Sequence, residues 1–372
     1  MRSSLGLAVL AAAVISSLGT VAPAAANLAH GTFATAPRPA VAGMSPAFGS
    51  RPFFRPAASH WLTPLGNPPM HPVQHRFSMP PPPCTPGNRL YFSDYSNNVI
   101  DSFNLAGGAA ACTVTPGGLS APIGIWVNPH LGAYHNMLFA ANSGNDTAVA
   151  FATPISNSSL PSLQFNTLGP AGDVVQDRSG NVYVSEIGTP TIDVYKRPLT
   201  GCVYPTGCAR NYTITDPCGA VYWLATDGKG DVYSNNYCGY VALFRAPITA
   251  SMTGTAVAGT AFTFPGGMIV DSHFHLLVCD QGNGSSGLIT NYIVNVGSYT
   301  ATVNYTLAPY SGDIAGIGLP QNNTYLWGAN VAPNQGQRYV NAAAGAFTLT
   351  TAIDATMTYS LGAAARPTSN DS

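Results

Sequence analysis

A short apolar run that ends in Asp, Asn or Glu recurs six times in this chain of 372 residues. Runs of this length, bounded by turn residues, are typical of buried β-strands. The six copies are residues 90–94, 138–142, 182–186, 232–236, 276–280 and 326–330. Their terminal polar residues lie 44 to 50 residues apart. This period matches the ~40–50 residues of one propeller blade, so the pattern predicts six blades.

Three further patterns repeat with the same period and predict the other strands. A Pro-x-Gly turn precedes most copies and predicts the start of an innermost strand. These turns begin at Pro122, Pro170, Pro217 and Pro265. Residues 177–181 and 227–231 carry the Gly and Asn of hairpin turns into the repeated segment. Alternating runs at 99–103, 192–195, 241–244 and 289–293 predict third strands.

The two ends of the repeat region predict how the ring closes. The first copy has no Pro-x-Gly strand of its own, whereas the last is followed by two strand-like runs, 347–353 and 357–361. We expect the C-terminal run to join the blade that contains Leu90, because closure removes exposed strand edges. The predicted fold is all-β: a six-bladed β-propeller of four-stranded antiparallel blades with circular closure by the C-terminal strand, over residues 88–362. Residues 363–372 are expected to be a disordered tail.

The first 87 residues have the pattern of an export signal followed by a leader. Arg2 precedes an apolar stretch, and small residues up to Ala26 supply a cleavage site, so residues 1–26 are predicted to be a signal peptide. The apolar stretch is shorter than the ~20 residues of a membrane-spanning helix. Residues 27–87 are rich in Ala and Pro and predict a disordered leader. We expect the mature protein in the periplasm or outside the cell, with no transmembrane segment.

Charge and cysteine content narrow the classes of function. Only 8% of residues are charged and the net charge is −1, with no basic stripe, so nucleic acid is not an expected partner. Seven cysteines fit an oxidising compartment, and their odd number leaves one thiol over. We expect local disulfides, although sequence alone does not fix connectivity. The preferred pairs are Cys84 with Cys112, Cys202 with Cys208, and Cys218 with Cys238.

Residues 90–100, with the sequence LYFSDYSNNVI, resemble the core of an NHL repeat: a strand, Asp, Ser-x-Asn and the next strand. Residues 141–145 and 280–284 are weaker copies, whereas the copies at Glu186, Asn236 and Asn330 depart from the pattern. The resemblance covers about residues 88–362 and places the chain among TolB-like and gluconolactonase-like propellers. It implies the fold and leaves the function open, because functions within this group differ widely.

The six terminal polar residues are the first candidate site. They alternate carboxylate with amide around the ring: Asp94, Asn142, Glu186, Asn236, Asp280 and Asn330. Oxygen ligands of this kind suit calcium. The competing interpretation is that each caps a turn by accepting backbone N–H groups, which is the role that the NHL resemblance implies for this Asp. Under that interpretation no cofactor is expected.

The sequence supports catalysis less well than binding. The gluconolactonase resemblance implies oxygen ligands just before the Gly of each inner strand, yet Ile123, Ala171, Cys218 and Gly266 occupy those positions. His273 and His275 could be two of the ligands of a metal site, with both imidazoles on one face of a strand. The competing interpretation is that they belong to a polar hairpin that follows Asp271. No nucleophile elbow, Walker loop or His-Glu-x-x-His motif occurs.

The sequence therefore favours a binding or scaffold protein for a protein, glycan or small ligand, using loops at one mouth of the propeller. Tyr95, Tyr237 and Tyr240 are the candidate ligand contacts. The alternative is an exported metal-dependent enzyme of the lactonase or lyase type, and a wall-associated structural protein is a third possibility. We expect a monomer.

Overall fold

The structure is a computed structural model. It describes residues 89–105, 112–114, 116–129, 134–282, 287–307, 314–320, 325–331, 335–342, 346–353 and 359–365. The expected signal peptide and leader, which includes Cys84, lie outside these ranges, and so do residues 366–372 of the expected tail.

The secondary structure of the described residues is entirely strand, turn and coil, and the strands form six sheets that correspond to six blades. Blade 1 contains β1 (Arg89–Asp94), β2 (Val99–Asn104) and β3 (Cys112–Val114), and blade 2 contains β4 (Pro122–Val127), β5 (Leu138–Asn142), β6 (Thr147–Phe151) and β7 (Leu163–Asn166). Blade 3 contains β8 (Ala171–Gln176), β9 (Val182–Glu186), β10 (Thr191–Tyr195) and, after the short β11 (Cys208–Ala209), β12 (Tyr212–Thr215). Blade 4 contains β13 (Val221–Thr226), β14 (Val232–Asn236), β15 (Val241–Phe244) and β16 (Thr255–Ala256). Blade 5 contains β17 (Pro265–Val270), β18 (His275–Asp280), β19 (Leu288–Asn295) and β20 (Thr300–Leu307). Blade 6 contains β21 (Ile314–Gly318), β22 (Tyr325–Asn330), β23 (Gln335–Ala342) and β24 (Ala346–Ile353), and β25 (Ser360–Ala365) follows.

The last strand closes the ring as the sequence predicts. β25 pairs antiparallel with β1, with Leu90 opposite Ala365, and becomes the innermost strand of blade 1. It packs against β4 of blade 2 on one side and β21 of blade 6 on the other. The strand begins and ends later than the expected run at 357–361, and residues 363–365, which were expected in the tail, belong to it. The three alanines at its end gave no strand signal because Ala has a low β propensity.

The six repeated segments are the second strands of the six blades: β1, β5, β9, β14, β18 and β22. β5, β9 and β14 are buried along their whole length. A blade packs on a neighbour through each face, so side chains of both orientations are removed from water and the run does not alternate between apolar and polar residues. The rings of Phe139, Phe165 and Tyr195 illustrate this layer between blades 2 and 3, with centroids 6.3 and 5.0 Å apart.

Two of the three expected disulfides are present, Cys202–Cys208 and Cys218–Cys238. Cys84 lies outside the described residues, so its pairing with Cys112 stays a prediction. The Cys202–Cys208 loop brings β11 parallel to β7, so blade 2 has five strands rather than four. Sequence reasoning missed this strand because two residues carry no periodicity. Cys279 is a buried free thiol.

Every inner strand pairs irregularly with the second strand near its start. Such bulges free backbone groups and change the direction of a side chain. In three blades a polar side chain of the second strand satisfies these groups and also donates to the inner strand of the next blade. The donors and acceptors are Ser93 to the Ile123 carbonyl, Ser185 to the Tyr222 carbonyl, and Asn235 to the Gly266 carbonyl. The same side chains accept the N–H groups of Gly362, Asp173 and Trp223, respectively.

Candidate functional site

The two ends of the central channel differ, and one end is filled by aromatic side chains. We call Tyr95, Tyr222, Tyr237 and Tyr359 the tyrosine plug; they belong to one apolar cluster with Ile123 at the start of β4. Tyr95 contacts Tyr359 and Tyr222 contacts Tyr237, each pair with ring centroids 6.0 Å apart. Because the cluster draws on the inner strands of four blades, it lies on the channel axis.

The plug contains two of the three tyrosines that the sequence nominated as ligand contacts. Tyr95 and Tyr237 are partly buried in it, and burial raises the pKa of Tyr237. Tyr240 is also partly buried, and burial followed by the charge of Asp216 raises its pKa. Packing accounts for Tyr95 and Tyr237 here, and ligand binding through the three tyrosines stays a prediction.

The six polar residues of the expected ring all lie at the ends of second strands, at the same face as the plug. At least five use a side-chain oxygen to accept backbone N–H groups of nearby turns or of the segment that leads into their own blade. The pairs are Asp94 with Asn97, Asn142 with Ser120, Glu186 with Leu168, Asn236 with Cys238, and Asp280 with Thr263 and Phe264. Asn330 is fully buried. Among the described residues no three His, Cys, Asp or Glu side chains converge where a metal ion could sit. The turn-capping interpretation explains these contacts, and calcium binding stays a prediction that they do not support.

The opposite end of the channel is an open recess of about 350 Å³. Its walls are the later halves of the inner strands and the turns that follow them. Apolar and aromatic side chains dominate, among them Trp126, Trp223, Met268 and Phe274. Three acidic residues, Asp173, Asp227 and Asp271, also line it. A concave, mainly apolar site with a few polar groups is the usual form of a small-ligand site.

Asp173 is the most distinctive group of the recess. It lies at the bulge of β8 and is 5% exposed. One carboxylate oxygen accepts the N–H of Val174 at 2.8 Å and the other accepts that of Leu224 at 2.9 Å. Burial raises the pKa of Asp173 to about 7, although the two N–H groups lower it. The carboxyl group is therefore positioned by two neighbouring blades and titrates near neutral pH.

Two hairpins form part of the rim, and their carboxylates hold the turns. Asp227 accepts the N–H groups of Lys229 and Asp231 at 2.8 and 2.9 Å, and Asp271 accepts those of His273 and His275 at 2.8 Å. The imidazole rings stack with centroids 5.8 Å apart, and Nδ1 of His275 is 3.5 Å from the Asp271 carboxylate. The two histidines thus belong to a polar hairpin.

The sequence contained a signal for Asp173 that the repeat analysis did not use. Asp173 is the one Asp, Glu, Lys or Arg in the six inner strands. A charged residue in a buried inner strand is expensive unless it is paired or functional. This exception to the apolar pattern therefore marks the site.

Replacing Asp173 should change how stability depends on pH. Its pKa of about 7 exceeds the ordinary value of 3.8, so the folded state binds this proton more tightly than the unfolded chain does. The stabilisation is complete below about pH 4 and is lost as pH rises through about 7. Between pH 5 and pH 8 the loss from this group is about 2.5 kcal/mol. Urea unfolding at both pH values measures this effect. The free energy of unfolding of Asp173→Asn should fall less between pH 5 and pH 8 than that of the unchanged protein, and the difference should be that amount. Identical pH dependence in the two proteins would contradict the assignment.

No protein-family model and no curated protein sequence matches this chain. Solved structures share its fold at low identity. A functionally unknown protein from Desulfotomaculum acetoxidans gives a TM-score of 0.51 at 10% identity, over 76% of this chain and 99% of that one. A chain of a nidogen/laminin complex gives 0.52 at 12%, over 75% and 98%. A candidate 6-phosphogluconolactonase from Bacteroides fragilis gives 0.51 at 13%, over 75% and 98%. At such identities the likeness shows the fold alone.

None of the described residues forms a helix that could cross a membrane.

Proposed function

We propose that this protein is a binding protein that holds a small ligand in the recess at the open mouth of its propeller. One observation carries the proposal: a recess of about 350 Å³ with aromatic walls and a buried carboxyl group lies at one end of a channel whose other end is packed with tyrosines. The ligand would enter through the open mouth. It would stop at the waist of the channel, by which we mean the part between the recess and the tyrosine plug. A protein or glycan partner at the same mouth is the broader form of this proposal.

The metal-dependent lactonase or lyase alternative ranks second. It requires oxygen ligands that converge on one ion, and the described residues contain no group of three His, Cys, Asp or Glu side chains that does so. Binding requires only the concave surface and the polar groups that are present. We therefore place binding ahead of catalysis.

The proposal includes NHL-like ancestry and export. The Asn97 side chain and backbone both donate to Asp94, a turn that agrees with the NHL-like motif in residues 90–100. Two disulfides support an oxidising compartment outside the cytoplasm.

Tryptophan fluorescence tests the proposal directly. The chain has four Trp residues, of which Trp126 and Trp223 line the recess while Trp327 is buried in blade 6. We expect at least one compound from a panel of cationic, neutral and anionic small molecules to change the fluorescence and raise the Tm. Trp126→Phe and Trp223→Phe should diminish the fluorescence response, whereas the matched variant Trp327→Phe should preserve it. A response that survives in both recess variants, or its absence across the panel, would count against the recess.

A further inference from the structure

The charges in the recess wall all have one sign. Three Asp residues line it, and no Lys, Arg or His is among its described lining residues. A cleft with low-dielectric walls and charges of one sign concentrates its field and attracts ligands of the opposite sign. Asp227 and Asp271 each accept backbone N–H groups of their own hairpin, whereas Asp173 accepts one N–H from its own strand and one from the inner strand of the next blade.

The basic side chains described near the rim contact other groups. The Lys229 ammonium lies over the Phe274 ring, 4.4 Å from its centroid, and Arg178 donates to the Gly228 carbonyl at 3.4 Å. The ion pairs among the described residues involve Arg210, His273 and His275, with Glu186, Asp193 and Asp271 as acceptors. Asp173 is absent from these pairs. A buried carboxylate without a cation is costly, and a cationic ligand would offset that cost.

Trp223 supplies a second, independent sign of a ligand. Its side chain lines the recess and is 3% exposed, and the indole N–H has no hydrogen-bond acceptor among the described residues. Leaving a buried donor without an acceptor is destabilising. Trp223 directly precedes Leu224, whose N–H donates to Asp173. Trp223 and Asp173 thus belong to the inner strands of neighbouring blades, β13 and β8, and both residues line the recess.

We propose that the recess binds a small organic ammonium ion that carries a hydroxyl or carbonyl oxygen, with Asp173 as its counter-ion and the Trp223 indole N–H as the donor to that oxygen. This inference rests on the proposed function and narrows its ligand to one chemical class. The volume of about 350 Å³ limits the ligand to a small molecule. Trp126 adds aromatic surface, which favours cations further, whereas the Phe274 ring already contacts the Lys229 ammonium.

Affinity for such a ligand should increase with pH. The ammonium ion pairs with the ionised carboxyl group, and Asp173 becomes protonated below about pH 7. Apparent affinity should therefore fall about tenfold between pH 8 and pH 6. Gly124 and Ser185, which contact Asp173 from β4 and β9, do not titrate in this range. The other titratable groups of the recess and its rim are Tyr222 on β13 and Asp227, Asp271, His273 and His275. All of them are retained in the Asp173→Asn variant, so a pH dependence that this variant loses belongs to Asp173.

Titration calorimetry with matched probes tests the inference. The probes are choline, ethanolamine and tetramethylammonium, which lacks a hydroxyl group, the uncharged choline analogue 3,3-dimethyl-1-butanol, and acetate. We expect at least one of the three ammonium probes to bind, and acetate and the uncharged analogue to bind at least tenfold more weakly. Asp173→Asn should weaken ammonium binding at least tenfold at pH 8 and remove most of its pH dependence. Trp223→Phe should reduce the preference for choline over tetramethylammonium.

The control variant is Asp101→Asn. Asp101 is also a buried carboxyl group with its pKa raised by burial to about 6, but it lies in blade 1 outside the recess. Its replacement should leave binding unchanged, and urea unfolding verifies that both variants fold. Tighter binding of acetate or the uncharged analogue, with a response dependent on Trp126 and Trp223, would overturn the ammonium inference and keep the proposed function. Failure of every probe together with the broader panel would remove both.

Discussion

Removing residues 359–372 abolishes the cooperative unfolding transition of the propeller: this is the result we expect from the position of β25. The strand is the innermost one of blade 1 and also packs on blades 2 and 6. Without it, β1 has an unpaired edge and the apolar surfaces on both sides of the gap meet water. Leu90, Phe92 and Trp327, which cluster with Ala363 and Ala365, would lose part of their cover. The loss is comparable to the whole stability of a domain, about 5–15 kcal/mol.

A shorter deletion provides the matched control. Residues 366–372 lie beyond the last described strand, so their removal should leave the Tm within a few degrees of the full chain. Circular dichroism melting and size-exclusion chromatography of the two truncated proteins give the comparison. A chain ending at residue 358 that still melts cooperatively at the original temperature would show that closure is not needed for folding.

The closure was predictable because it follows from counting. Six copies of one strand and a surplus strand at the C-terminal end leave one arrangement in which every blade is complete. The strand bounds were less predictable, because Ala363 to Ala365 adopt β-structure through contact with neighbouring inner strands rather than through propensity. Tertiary packing determined the strand conformation of these three residues.

The place of Asp173 in the recess was not predicted, for a different physical reason. Alternation along a strand tells which side chains share a face only while the pairing register is regular. At the bulge between Ala171 and Val174 the register shifts, and Asp173 lines the recess. The terminal polar residues were candidates for a site because they repeat. Their repetition, however, reflects a shared role in the fold of the blades. The exception to the repeat, one acid in six apolar inner strands, was the more informative signal about ligand binding.

Gly316→Ala should destabilise the protein by about 3 kcal/mol, because a methyl group at this position has no space in the packed channel wall. A Cβ atom there would lie 2.8 Å from the Gly362 Cα and 3.0 Å from the Ala363 nitrogen, and it would also overlap the Leu361 carbonyl oxygen. All three atoms are backbone of β25, so no side-chain rotation relieves the contact. The two inner strands would have to separate, which weakens the same closure that the deletion removes.

Gly201→Ala is the matched substitution that separates this steric effect from the general effect of replacing glycine. Gly201 is exposed, and a Cβ atom there meets no heavy atom within 4 Å. Replacing glycine at such a position reduces the freedom of the unfolded chain and changes stability by less than about 1 kcal/mol. Urea unfolding of the two variants should therefore differ by about 3 kcal/mol. Equal stabilities would mean that β21 and β25 can move apart at little cost, and the waist that ends the recess would then be wider in solution than the close approach of these strands implies.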